Sequence, residues 1–485
     1  MILAKPAPFI SAFIDAVDEA IRQEHPLHGM STIQRTWLAF CLTAILITQS
    51  ICWARFERAS LGTYSMAALS WMFRHSKIPW DHLLVASVRV ILRYHGIKVS
   101  PTPDITSGSL VIDDTDNPRS KAAKKLAYLY KLRHKESGGY VWGQSLVFLL
   151  LVTPKISIPV GFVFYQPDPE LSAWYRQEKA LKKQKVPKAQ RPPKPAPNPN
   201  YPTKQQLALS LLEDFKANYP DIRVHLITAD ALYGAGPFVD AASALFGGIQ
   251  VISQIRSNQN IRTGKREQHV ADYFATHPGT PQRICIRGGE EIVALVSSAR
   301  LYVCSHKTKR FVVAIKYENE ESYRYLIASD LTWRTRDIVQ GHSLRWLVEV
   351  FIQDWKGHEG WAQLTKQPGE EGARQSVILS LLVDHSLFLH PDQQAQLKNN
   401  LPAYTVGSLR AHVQVMSLVD VIEELVSCEN PQDQLKRLTQ ALHDIFTFNR
   451  SKKHMIQRQL GRLGPTPSLK YRAIEVMRNM PVTSN

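Results

Sequence analysis

Apolar positions along this chain repeat with a helical period up to about residue 100 and take on a strand-like texture after it. In SAFIDAVDEAIRQ, in the run from Leu38 to Trp53 and in DHLLVASVRVILRYHG, hydrophobic side chains recur every three to four residues, which predicts helices. No clear strand alternation comes before Ser107. From there SLVIDD is a buried-strand pattern ending on carboxylates. YVWGQSLVFLLLV and ISIPVGFVFY, parted by Thr153-Pro154-Lys155, predict adjacent antiparallel strands. A helical pattern at 205–217 leads into RVHLITAD, a further strand ending on an acid. A helix near 236–246, the short strand GIQVIS, a mixed stretch from 256 to 335 and a strong helix from about 339 to 357 follow.

Three strands, helix, strand, helix, strand and a later helix is the order of a ribonuclease-H-like α/β fold. At 485 residues the chain exceeds one hydrophobic core, so several domains are expected. The uncharged run from Leu38 to Trp53 is shorter than the roughly 20 residues that span a bilayer. It also carries Thr43, Thr48, Gln49 and Ser50, and so reads as a buried helix with no membrane role.

Charge narrows the partner. Lys and Arg number 59 against 42 Asp and Glu, a net charge of +17, which points to a polyanion such as nucleic acid. Within 176–204, Lys, Arg and Pro crowd together with Glu178 as the one acid, predicting an extended, exposed loop. It serves either as a solubilising linker or as a basic arm along DNA phosphates. The five cysteines are scattered with no Cys-x-x-Cys pair, so neither a zinc site nor a disulfide framework is indicated and a reducing cytoplasm is expected. No secretory leader pattern is visible at the start. Arg262-Thr-Gly-Lys265 lacks the spacing of a nucleotide-binding loop. Tyr140 and Trp142 read as core aromatics, and His385 as a core histidine.

Three acids sit where such a fold would gather them: Asp113 (with Asp114 as alternate) ending the first strand, Asp230 ending the fourth, and Glu349 on the late helix. Carboxylate oxygens suit hard divalent cations, and a pair of ions about 3.5–4 Å apart can activate an attacking oxygen and stabilise a leaving one. Arg119 and Lys121 place bases beside the first acids. In HSLRWLVEVFIQDWKGHEG, a regular helix puts His342, Arg345, Glu349 and Lys356 within roughly 60° of one another, with Leu344, Leu347, Val348, Phe351 and Trp355 opposite. Such a stripe mixes one acid with bases that suit phosphate.

The sequence resembles the DDE transposases of bacterial insertion sequences, in the branch with a Tyr-x2-Arg-x3-Glu-x6-Lys signature (insertion-sequence family four and relatives). Here the signature reads His342, Arg345, Glu349, Lys356, with His in place of Tyr. VIDDT at 111–115, TADALYG at 228–234, SQIRSNQNI at 253–261 and LIASDLTW at 326–333 are similar to further family segments, and the likeness covers roughly 107–365.

The resemblance implies a ribonuclease-H-like catalytic core interrupted by a mainly β insertion, with helical regions at either end. The expected divisions are a helical region at 1–100, the first part of the core at 101–255, the insertion at 256–335, the last part of the core at 336–390 and a helical region at 391–485. LVSSARLYVC, FVVAIKY and YRYLIA read as strands of the insertion. Asp113, Asp230 and Glu349 would be the catalytic acids, holding Mg²⁺ or Mn²⁺, two ions, with no organic cofactor. His342, Arg345, Lys356, Lys121 and Arg119 would contact DNA phosphate. The partners implied are double-stranded DNA, as terminal inverted repeats and target, and a second copy in a dimer or higher synaptic complex, in the bacterial cytoplasm on the nucleoid. A non-cleaving DNA-binding descendant and a ribonuclease-H-like nuclease are the competing expectations.

Overall fold

The computed structural model describes residues 5–96, 107–119, 125–133, 138–286, 290–318, 320–361 and 367–445. Its sheet starts from β1 (Ser107–Pro118), β2 (Tyr130–Arg133), β3 (Tyr140–Val152) and β4 (Ser157–Tyr165). β3 runs antiparallel to β1, β2 and β4, so the two runs around Thr153-Pro154-Lys155 form the expected pair β3–β4. On the other side of β1, β5 (Arg223–Ala229) and then β6 (Gln250–Ile255) add in parallel, giving the local order β4-β3-β1-β5-β6.

Beyond β6 the chain forms β7 (Asn260–Thr263), β8 (Arg266–His269), β9 (Thr280–Cys285), β10 (Glu291–Val303), β11 (Thr308–Tyr317) and β12 (Arg324–Ala328). These strands continue the same sheet, because β12 pairs antiparallel with β6 and leads through β11 to β10. The result is a mixed α/β protein with one large mixed sheet.

Period-two alternation along β1 decides what each face sees. Leu110 and Ile112 point into the main core, which also takes in the N-terminal helices α1 (Pro8–Glu24), α2 (Thr32–Thr48), α3 (Trp53–Ala59), α4 (Met66–His75) and α5 (Trp80–Tyr94). Every residue from Trp37 to Ile47 of α2 is buried, which accounts for its uncharged run. Ser31 starts that helix with a reciprocal cap, its hydroxyl accepting from the Gln34 amide while the Gln34 side chain accepts from the Ser31 amide. Among the described residues no single helix is long and apolar enough to cross a membrane.

The remaining helices are α6 (Pro169–Lys183), α7 (Lys204–Asn218), α8 (Gly236–Leu245), α9 (Val270–Thr276), α10 (Thr335–Ser343), α11 (Trp346–His358), α12 (Gly369–Leu387), α13 (Pro391–Lys398), α14 (Val406–Ser427) and α15 (Pro431–Ile445). Val111, on the other face of β1, joins Phe148, Val348, Phe351 and Trp355 in a second core that seats α11 on the sheet. His385 of α12 is fully buried between the Ser87 hydroxyl at 2.7 Å and the Pro159 carbonyl at 2.9 Å, as a core histidine should be.

Three expectations are corrected. The helix expected from 339 to 357 is two helices, α10 and α11. At the junction the amides of Leu344, Arg345, Leu347 and Val348 bond three residues back, at 3.0–3.2 Å, and this tighter turn rotates each residue further than a regular helix does. The loop expected at 176–204 begins as the end of α6. Asp168 caps that helix by accepting from the Glu170 and Leu171 amides, and Pro169 fits its first position. The proline-rich leg then folds back, the Trp174 indole donating to the Pro192 carbonyl at 2.9 Å and Arg191 pairing with Glu178 at 3.0 Å. Finally, Tyr140 and Trp142 stand at the exposed start of β3, 69% and 42% accessible, outside the core.

Candidate active site

Asp113 and Asp230 meet because of register. Ile112 pairs with Ala229 across the parallel strands β1 and β5, so the residue that follows each is an aspartate at the carboxyl ends of neighbouring strands. Ligand sites in open α/β sheets favour that position. Alternation then separates Asp113 from Asp114. Asp113 shares the Val111 face and looks toward α11, while Asp114 takes the opposite side and pairs with Lys204 of α7 at 2.5 Å.

Glu349 lies in the first turn of α11. Arg345, at the start of that helix, joins it to β1: Nη1 donates to Asp113 Oδ2 at 2.9 Å and Nη2 donates to Glu349 Oε1. One guanidinium therefore grips a carboxylate from the sheet and another from the helix. Asp113, Asp114, Asp230, Arg345 and Glu349 all line one cleft of about 590 Å³. Their oxygens are hard donors of the kind Mg²⁺ or Mn²⁺ takes, and they open on a space that a phosphodiester could enter. The carboxylate oxygens of the three predicted acids do not all come within 4.8 Å of one another. The Arg345 fork lies between two of them.

Burial pushes the Asp113 carboxyl up to about 7, with the charges of Asp230 and Asp114 adding to the rise and Arg345 and the Asp114 amide opposing it. Tyr233, from the TADALYG segment, is fully buried beneath these acids. Its burial and the charges of Asp114, Asp113 and Asp230 hold the phenol well above its ordinary range, so it stays protonated.

The predicted bases divide. Arg345 is at the cleft. Lys356, one helix end away, donates to Thr115 Oγ1 at 2.7 Å and to the Asp116 carbonyl at 2.6 Å, pinning α11 along β1. Burial lowers its ammonium to about 8. Arg119 donates to Gln144 Oε1 at 3.1 Å and to the Trp361 carbonyl at 3.3 Å, and lies over the Trp361 ring. It holds β1, β3 and the end of α11 together and does not line the cleft.

His342 belongs to α10, only 8% exposed, with Nε2 3.2 Å from the Gln254 side-chain nitrogen. Burial and the charges of Arg345 and Arg324 lower it to about 3, so it is neutral. The helical face that would have placed it beside Glu349 is broken by the tight turn at Leu344. Lys121, Lys366 and the basic stretch 450–463 lie outside the described residues.

Sequence reading missed two residues at this site. Lys204 was visible only as the last base of the proline-rich segment, yet it is the counter-ion of Asp114. Thr115, the third residue of VIDDT, turned out to be the anchor for Lys356.

No family model matches the chain, and neither does any curated protein. Among solved structures it is similar to a piggyBac transposase in a synaptic complex with hairpin DNA, with TM-score 0.36 and 11% identity over 99% of this chain and 89% of that one. It is also similar to the NurA nuclease from Sulfolobus solfataricus, with TM-score 0.23 and 9% identity over 53% of this chain and 82% of that one. Likeness of this size assigns no chemistry.

Proposed function

We propose that this chain is a metal-dependent DNA transposase of the DDE class, cutting the ends of an insertion sequence and joining them to target DNA. The observation that carries the reading is convergence: acids 113, 230 and 349, from two parallel strand ends and one helix, line a single cleft. The order β4-β3-β1-β5-β6, with β3 antiparallel, supports reading those strands as a ribonuclease-H-like core, with β7–β12 as a β insertion that lengthens its sheet.

In this reading Asp113, Asp230 and Glu349 hold two Mg²⁺ or Mn²⁺ ions, which supply activation of the attacking oxygen and charge stabilisation at the leaving one. Asp114, salt-bridged to Lys204, is kept away from that task. Arg345 exchanges its carboxylates for a DNA phosphate, which its fork also fits. Lys356, Arg119 and His342 position α11 and β1 instead of touching DNA. The folded-back arm from α6 to Lys204 carries no buried residue in its helix and lays Lys side chains along DNA. A dimer or higher complex on two ends belongs to the same proposal.

The test uses a supercoiled plasmid carrying the gene with its flanking DNA, incubated with protein and Mg²⁺ or Mn²⁺. Nicking at the element's ends and transfer into target are expected; binding without nicking in either metal overturns the reading. Replacing 171–200 by a flexible Gly-Ser linker is expected to leave the fold intact and weaken DNA binding several-fold, with a salt dependence shallower by about 0.9 per lost phosphate contact.

The Arg345 bridge favours one alternative, a DNA-binding descendant that no longer cuts, because the guanidinium already neutralises two of the acids. Calorimetric Mn²⁺ titration separates the two, since the descendant binds none at the cleft.

A further inference from the structure

A second constellation lies far along the chain from the acidic cleft. His390 immediately precedes α13, and its ring is 2% exposed, packed edge-on against Phe9 at 5.0 Å and against His412 of α14 at 5.1 Å. His390 Nε2 and His412 Nδ1 stand 3.1 Å apart, and Asp392 Oδ2 is 3.9 Å from His390 Nδ1. One donor atom from each of the three residues falls within 4.8 Å of the others, and among the described residues no other group of three His, Cys, Asp or Glu side chains does so.

We propose that His390, His412 and Asp392 form a binding site for a zinc-class divalent cation that clamps α14 onto α13. Two imidazoles and a carboxylate are a ligand set for Zn²⁺, leaving water in a fourth position. Around a tetrahedral ion with metal–nitrogen bonds of about 2.0–2.1 Å, ligand atoms stand roughly 3.3 Å apart, so the imidazole pair is already near its bound spacing. Asp392 is exposed and turns in without disturbing the core.

Without metal, His390 Nδ1 accepts from the Asp392 amide at 3.3 Å, which places the ring proton on Nε2, facing His412. Metal binding moves that proton to Nδ1, which gives up the bond from the Asp392 amide and donates to the Asp392 carboxylate oxygen that the ion leaves free, so the Nε2 lone pair becomes available and no net proton is lost. The ligand set differs from the oxygen-only cleft, so the two sites prefer different ions.

The probe is Co²⁺, titrated into the chelator-stripped full-length protein with Mg²⁺ saturating the carboxylate cleft. One Co²⁺ per chain is expected, with the visible bands of a low-symmetry nitrogen–oxygen site, bleached by Zn²⁺. His412 is exposed and caps nothing, so His412→Ala is the variant to use; it should lower Co²⁺ affinity by about 100-fold with an unchanged circular dichroism spectrum, and Asp392→Asn by about tenfold. Absence of the bands, or bands that survive His412→Ala unchanged, overturns the site.

Discussion

The two ends of α11 carry two groups of acids in opposite circumstances. At its start, Glu349 shares Arg345 with Asp113 and opens on the cleft that Asp230 also lines. At its finish, Glu359 is fully buried beside Asp384 of α12. Among the described residues no amide, hydroxyl or ammonium donor reaches either oxygen of Glu359 or Oδ2 of Asp384, so these atoms are satisfied when the pair holds a proton between its members. The helix dipole sharpens the contrast, because the start of a helix favours an anion and the end opposes one.

Acids with raised proton affinity occur in both places, since burial lifts Asp113 at one end and Glu359 and Asp384 at the other. Perturbed titration therefore does not single out a site. Cations within reach, an open cleft and strand ends brought level do. The first group is arranged to exchange partners, and the second is arranged to stay shut.

The largest expected effect tests that division directly. On the proposed transposase reading, Asp113→Asn, Asp230→Asn and Glu349→Gln should each reduce end cleavage by about 1,000-fold or more while DNA binding stays within a few-fold, because each would remove an oxygen that the proposed ions need and leave the proposed DNA surface intact. Glu359→Gln should leave cleavage within about threefold, since an amide replaces a protonated acid of nearly the same shape. Equal losses from Glu359→Gln and Glu349→Gln in a plasmid-nicking assay would erase the distinction.

Much of this was legible in the chain. The strand ends at Asp113 and Asp230 announce themselves as apolar runs closing on acids, and the Val348–Phe351–Trp355 stripe names the face of α11 that meets the sheet. What escaped was set by contacts between distant segments. A regular helix was assumed through Leu344, and nothing local marks the turn there. Gly341 permits the close approach of α10 to β5, where an added Cβ would sit 2.9 Å from Leu226, and that constraint exists only in three dimensions. The arm escaped for a different reason: its lysines and prolines predict an extended, exposed loop, while Asp168, Pro169 and the Trp174–Pro192 bond build a folded-back hairpin. Glu359 and Asp384, 25 residues apart in sequence, look like ordinary surface acids until α11 and α12 pack.

A smaller effect reports on the shut pair. Its folded proton affinity is raised above that of the unfolded chain, so the folded state holds more protons, and its contribution is full below about pH 4 and declines as pH rises above it. The contribution of this pair should therefore fall by about 2 kcal/mol between pH 5 and 8, while the buried neutral His342 and His385 act in the opposite direction below about pH 6.5. Glu359→Gln with Asp384→Asn removes the titration, and urea denaturation of the double variant should show that share of the slope gone. A slope that persists would place the proton elsewhere and dissolve the contrast between the two ends of α11.

The smallest effect concerns Arg345, which decides how open the first group is. Its guanidinium lies between Asp113 and Glu349 and repels a divalent cation approaching either. Arg345→Ala should tighten Mn²⁺ binding at the cleft by about tenfold, measured by calorimetry at pH 8.5, where competition from the Asp113 proton is reduced. Cleavage should nevertheless fall, because the fork that would hold a phosphate is gone. Arg345→Lys should show a weaker version of both changes, since a point charge cannot bridge the two acids as a fork does. Neither substitution should alter the pH dependence of stability that arises at Glu359 and Asp384. If Mn²⁺ binding weakens instead, Arg345 is holding the carboxylates in place for the ions, and the bridge is the scaffold of the site, not its gate.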